Sequence, residues 1–153
     1  MRSVVWAVAA ASAFVLAIGA SAQDADKAER ILNDSCQSCH DLRRIQVQAM
    51  GAEGWTKTVT TMIDKGAKVA KDHVPVLVSF LVENHGPLPD GPGKKIVLNT
   101  CTQCHDLKRI RLGRRSPEEW EETLFSMLNE GAQLSDDEFA TVHAYLSRHF
   151  AIE

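Results

Sequence analysis

The sequence is written twice. Displacing it by 65 positions lays Cys36 on Cys101, Cys39 on Cys104 and His40 on His105, then Asp41 on Asp106, Leu42 on Leu107, Arg44 on Arg109 and Ile45 on Ile110. The correspondence continues through Glu53 and Glu118, Trp55 and Trp120, Thr58 and Thr123, Met62 and Met127, and the Gly-Ala pairs at 66–67 and 131–132. From residue 36 to residue 69 there are 13 identities in 34 positions without a gap, where average residue usage would give about two. A period of this length marks a duplicated structural unit. The segment from Asn84 to Gly93 has the glycine and proline content of a turn-rich linker. The expected organisation is a leader at 1–22, one unit at 23–86 and a second at 87–153.

The leader is read from its own pattern. Arg2 gives a positive start, Val4 to Ile18 is apolar apart from Ser12, and Ala20-Ser21-Ala22 is a small-x-small cleavage pattern. Together these read as a secretory signal cut after Ala22. An uncleaved anchor would normally have a longer apolar run. Export points to a bacterial periplasm, with no membrane span left after cleavage. Losing Arg2 leaves 16 basic and 20 acidic residues, a net charge of −4. A chain that is 44% hydrophobic and 24% charged reads as globular, and its acidic balance excludes nucleic acid as a partner.

Each unit reads as three helices. The first precedes the cysteine pair, from about Asp24 in unit 1, with Ala28, Ile31, Leu32 and Ser35 on one face, and from Lys94 to Thr100 in unit 2. The second is clearest in unit 2: Ser116 as N-cap, Pro117 at the first helical position and Glu119 closing a capping box. Trp120, Leu124, Met127 and Leu128 then share a face, matched in unit 1 by Trp55, Val59, Met62 and Ile63. Gly66 and Gly131 are placed to end these helices in a left-handed residue. The third starts at Ser135, with Glu138 in a second capping box, and in unit 1 near Asp72. No segment alternates with period two, so the class is all-α. A unit of this size is marginal on its own apolar core.

The chemistry lies in Cys36-Gln37-Ser38-Cys39-His40 and Cys101-Thr102-Gln103-Cys104-His105. Both are C-x-x-C-H, the attachment motif of c-type haem. Two thiols at this spacing reach the two vinyl groups on one edge of the porphyrin, and the next residue brings an imidazole under the iron. A zinc site is disfavoured by the 61 residues between Cys39 and Cys101 and by the His that each pair carries. A thioredoxin-like pair needs a βαβ context, which is absent, and disulfides would leave the paired His without a role. Two covalently bound haems c are therefore expected, with Cys36, Cys39, Cys101 and Cys104 as attachment points and His40 and His105 as proximal iron ligands.

Methionine thioether is the expected distal ligand. Met62 follows His40 by 22 residues and Met127 follows His105 by 22. Both persist while their neighbours change. Met50 pairs with Arg115 and is expected only to pack. His73, His85, His143 and His149 do not recur, and His143 reads as a core histidine. Trp55 and Trp120 are expected to pack in the core with the indole N–H on a partner, a haem propionate being one option. Lys108, Arg109, Arg111, Arg114 and Arg115 form a basic run with two readings: internal pairing with propionates, or a docking patch for an acidic redox partner.

The order C-x-x-C-H, then Trp, Met, Gly-Ala and a Leu-rich helix, across residues 31–150, resembles two small class I cytochromes c in tandem. More narrowly, it is similar to the dihaem-binding domain of the quinohaemoprotein amine dehydrogenase alpha subunit. That subunit continues into β domains, whereas this sequence stops at Glu153. The resemblance implies two haems that relay electrons from a dehydrogenase to a soluble cytochrome or copper-protein acceptor. It also implies that one of the two irons can take two His ligands. The leading expectation is a periplasmic electron carrier that is not itself an enzyme. The alternative is a haem enzyme or ligand sensor, peroxidase-like or gas-binding, with one five-coordinate iron.

Overall fold

The computed structural model describes residues 22–152. The expected leader, apart from Ala22, lies outside the described residues. Among those described there are eight α-helices and no strand. They are α1 (Ala22–Ile31), α2 (Arg43–Gln46), α3 (Ala52–Asp64), α4 (Val74–His85), α5 (Lys94–Thr100), α6 (Lys108–Leu112), α7 (Pro117–Asn129) and α8 (Asp136–His149). The all-α expectation holds. No helix among the described residues is long and apolar enough to cross a membrane.

Helices α1 and α3 both pack on α4, and α5 and α7 both pack on α8. The buried side chains fall into two clusters. Ala28, Leu32, Trp55, Val59, Leu77 and Leu81 belong to one. Val97, Ile110, Trp120, Leu124, Val142 and Leu146 belong to the other. Ala28, Leu32, Trp55, Val59, Trp120 and Leu124 are helical-face positions expected from the spacing, and the two six-residue sets map onto each other through the 65-residue period except at Ala28 and Ile110.

The repeat extends to hydrogen bonds. Helices α3 and α7 are each 13 residues long. Both end at a glycine with positive φ, +103° at Gly66 and +104° at Gly131. Gly66 N–H donates to Ile63 O at 2.8 Å and Ala67 N–H to Met62 O at 2.9 Å, while Gly131 and Ala132 repeat the pair on Leu128 and Met127. This is a Schellman turn, so the Met-x-x-x-Gly-Ala spacing is the spacing of its capping bonds. The indole N–H of Trp55 donates to His85 O at 3.2 Å, and that of Trp120 to Phe150 O at 3.0 Å. Each ties the second helix of its repeat to the end of the third. Backbone carbonyls, rather than propionates, are therefore the indole partners.

Local signals account for the helix starts. Ser116 with Glu119 and Ser135 with Glu138 form complete capping boxes. Helix α4 differs: it begins at Val74 after a 3-10 turn at Lys71–His73, with Pro75 in its first turn, rather than at Asp72. Proline is tolerated there because the first-turn N–H groups lack intrahelical acceptors. Two one-turn helices, α2 and α6, were not foreseen. Each follows its C-x-x-C-H motif, and Asp41 and Asp106 start them by accepting from the N–H of Arg43 at 3.1 Å and Lys108 at 2.9 Å.

A methyl group on either terminating glycine would meet no atom within 4 Å, so replacing it carries only the backbone cost of a left-handed residue. Gly66→Ala and Gly131→Ala should each lower unfolding free energy by about 1 kcal/mol, measured by urea denaturation. A loss near zero, or one typical of a core cavity, would contradict this account of the turn.

Candidate functional site

The two C-x-x-C-H motifs sit where helical geometry gives way. Helix α1 opens into a π-helical turn over Leu32–Cys36, and α5 tightens into a 3-10 turn over Cys101–Gln103. All four cysteines are free thiols, with Cys36 and Cys101 half-buried and Cys39 and Cys104 exposed. Burial pushes the Cys36 and Cys101 thiols up.

The residue after each motif sets the imidazole. His40 Nδ1 lies 2.9 Å from Asp41 O, and His105 Nδ1 lies 2.8 Å from Asp106 O. A carbonyl oxygen only accepts, so Nδ1 carries the proton in both rings. The lone pair is then on Nε2, the atom available to a metal. Asp41 and Asp106 thus do two things: the carboxylate starts the short helix and the carbonyl fixes the tautomer.

In unit 1 these groups surround a cavity of about 510 Å³, within the range of cofactor sites. Cys36, Cys39 and His40 line it together with Met62, and Trp55, Val59, Leu77 and Leu81 make its apolar walls. Arg44 and Lys65 add two cations. Met62 belongs to the last turns of α3, seven residues beyond the anchored Trp55, so two helical turns place both on one face. Met127 stands in the same relation to Trp120 on α7, with its carbonyl held by Ala132.

Met50 also lines this cavity, which the repeat could not have revealed because unit 2 has Arg115 there. Its N–H donates to His85 O at 3.1 Å, and a Cβ on Gly54 would come within 3.4 Å of its sulphur. It therefore packs, as expected, but on the cavity wall. In unit 2 the Arg115 guanidinium instead lies 4.9 Å from the Trp120 ring centroid.

The remaining histidines lie elsewhere. His143 is half-buried rather than in either core cluster, and its Nε2 donates to Pro117 O at 2.8 Å. His73 stands 3.7 Å from Asp72, and His149 packs on Tyr145. Among the described residues, no three His, Cys, Asp or Glu side chains gather where they could hold a metal ion. A zinc cluster needs such a gathering. A haem does not, since the porphyrin supplies four of the six donors. The donor set of unit 1, two thiols, an imidazole with Nε2 available and a thioether around an apolar cavity, fits a haem c.

One hydrogen bond links the stretch after the first motif to the second motif. Arg43, three residues past His40, donates to the carbonyl of Gln103, inside the second motif, at 2.6 Å. A cleft of about 650 Å³ is lined from both halves, including Gln46 and Asn84 on one side and Asp106 and Arg111 on the other. Leu32 and Ile45 separate it from the unit 1 cavity, since they line both. The basic run does not act as one block. Arg111 turns inward to Gly86 O, while its Nε is buried without a hydrogen-bond partner among the described residues. Arg114 and Arg115 lie over Phe150 and Trp120, and Lys108 and Arg109 remain exposed.

His85 lines the same cleft and packs edge-on against Trp55. Burial holds its pKa below 6.5, Arg111 adds to the shift and Asp106 opposes it. The native ring takes up a proton less readily than the unfolded chain does as pH falls through 6.5. Stability should therefore fall below that pH and be unaffected by this group above it. His85→Gln should flatten that fall below pH 6.5, as read from urea midpoints; an unchanged slope would remove His85 as its source.

No protein-family model matches this sequence, and no curated protein is significantly similar to it.

Proposed function

We propose that the chain is a dihaem cytochrome c of the periplasm, built as a tandem duplication of a three-helix class I cytochrome c-like unit. It would pass single electrons from a dehydrogenase, a quinoprotein among the candidates, to a downstream cytochrome or copper protein. The observation that carries this reading is the unit 1 cavity, where two free thiols, the His40 imidazole and the Met62 thioether line one apolar space.

A bound haem c supplies a one-electron ferric–ferrous couple. Cys36 and Cys39 would hold it through thioethers, and His40 through Nε2 and Met62 through its sulphur would ligate the iron. Cys101, Cys104, His105 and Met127 have these roles in unit 2. The walls formed by Trp55, Val59 and Leu77 give the site an apolar lining, which favours the less charged oxidation state. Arg44 and Lys65 are available to carboxylates at its edge. The hydrogen bond from Arg43, three residues past the first motif, to Gln103 O in the second supports direct exchange between the two sites.

The test is visible spectroscopy and redox titration of the secreted protein, with carbon monoxide added to the reduced form. Two low-spin six-coordinate haems that bind no carbon monoxide are expected. Ready carbon monoxide binding without denaturant would favour the haem enzyme or ligand sensor instead. Met127→Ala should open one iron to carbon monoxide and lower its potential, leaving the other unchanged. An unaltered spectrum and potential would show that Met127 is not a ligand.

A further inference from the structure

The duplication provides an internal control for surfaces that the shared scaffold does not need. Residues 116–147 carry eight carboxylates and no Lys or Arg, whereas the matching window 51–82 carries four Lys and three carboxylates. All eight carboxylates are exposed. The ion pairs among the described residues are His73–Asp72 and Lys94–Asp90, so no Lys or Arg neutralises any of the eight. Capping explains Glu119 and Glu138, and the helix dipole favours Glu118, Asp136 and Asp137 in first turns, but neither explains Glu121 or Glu122.

The same face carries exposed aromatic surface. Phe125, on α7, is 52% exposed, among the largest exposed apolar residues described. Its ring centroid lies 4.9 Å from that of Phe139 on α8. Glu118, Glu121 and Glu122 precede Phe125 by seven, four and three residues, so they share its side of α7. Asp136 precedes Phe139 by three on α8. In unit 1 the two aromatic positions are Thr60 and Val74. The second copy has thus gained both an aromatic centre and a negative rim. An apolar aromatic centre within a charged border is the usual anatomy of a transient protein interface.

We propose that the face formed by α7 and the start of α8, centred on Phe125 and Phe139, docks a redox protein whose own contact patch is apolar and rimmed by lysine. Charge complementarity selects that occupant: the carboxylates attract and orient a lysine rim, while the phenylalanines supply the short-range contact. Contact through unit 2 alone would make that unit the exchange point with this partner. The redox character of the partner rests on the proposed electron-transfer role, while the docking face itself does not.

The test uses the full secreted chain and, as probe, a lysine-rich mitochondrial-type cytochrome c. Binding is followed by isothermal titration at ionic strengths of about 0.01 M and 0.15 M, where the screening lengths are about 30 and 8 Å. Binding should weaken at least about tenfold with the added salt. Glu121→Gln with Glu122→Gln should weaken it by a similar factor at low salt, and Phe125→Ser should weaken it at both ionic strengths. Glu53→Gln, the unit 1 counterpart of Glu118, should change nothing. Equal binding by the double variant, or equal loss in Glu53→Gln, would overturn the proposal. So would salt-sensitive self-association that the double variant abolishes in sedimentation of the chain alone, since the occupant would then be a second copy. Reduction of the probe is measured separately: binding without electron transfer would leave the face standing and remove the redox role. Electron transfer undiminished in the double variant would do the reverse.

Discussion

The indole–carbonyl hydrogen bond in each repeat fixes the geometry on which the rest of the site depends. Trp55 donates to His85 O and Trp120 to Phe150 O, both across 30 residues. A buried indole that lost its acceptor would incur about 1–3 kcal/mol, so the bond sets how the second helix is rotated against the third. Met62 and Met127 lie two turns beyond these tryptophans. The anchored ring therefore also decides which face the thioether occupies. At the far end, the Schellman turn closes directly on the methionine carbonyl. Tryptophan, methionine and Gly-Ala recur together because they are the anchor, the presented group and the stop of one rigid helix.

Much of this was legible because it is local. Capping boxes, the left-handed glycines and the helical faces are each set by residues within a few positions of one another, and the structure places them where the spacing does. The C-x-x-C-H motifs were equally plain. The two one-turn helices were missed because they depend on one aspartate carboxylate accepting a nearby N–H, a bond with no periodic signature. Met50 on the cavity wall was missed for a different reason: the repeat was the guide to function, and at that position the repeat fails. The contact between Arg43 and Gln103 spans 60 residues and leaves no mark in either local sequence. The basic run shows how composition misleads, since Arg111 is turned inward while Lys108 and Arg109 face out.

The two halves keep one scaffold and diverge where it makes no demand. Buried positions change conservatively, Val59 for Leu124 and Leu77 for Val142, and the anchoring bonds are unchanged. The outer face of the second helix keeps Glu53 as Glu118 but changes from Thr56, Lys57 and Thr60 to Glu121, Glu122 and Phe125. A duplicated unit with equivalent cores and unlike surfaces is suited to handling one chemistry while meeting different neighbours.

The central claim is that both motifs carry covalent haem, and mass spectrometry of the secreted protein under denaturing conditions tests it most directly. The account expects the mature chain plus two haem masses, both retained after denaturation because each is held by two thioether bonds, and one haem lost in Cys101→Ala with Cys104→Ala. A polypeptide mass with no covalent addition, from cells that mature other c-type cytochromes normally, would contradict it.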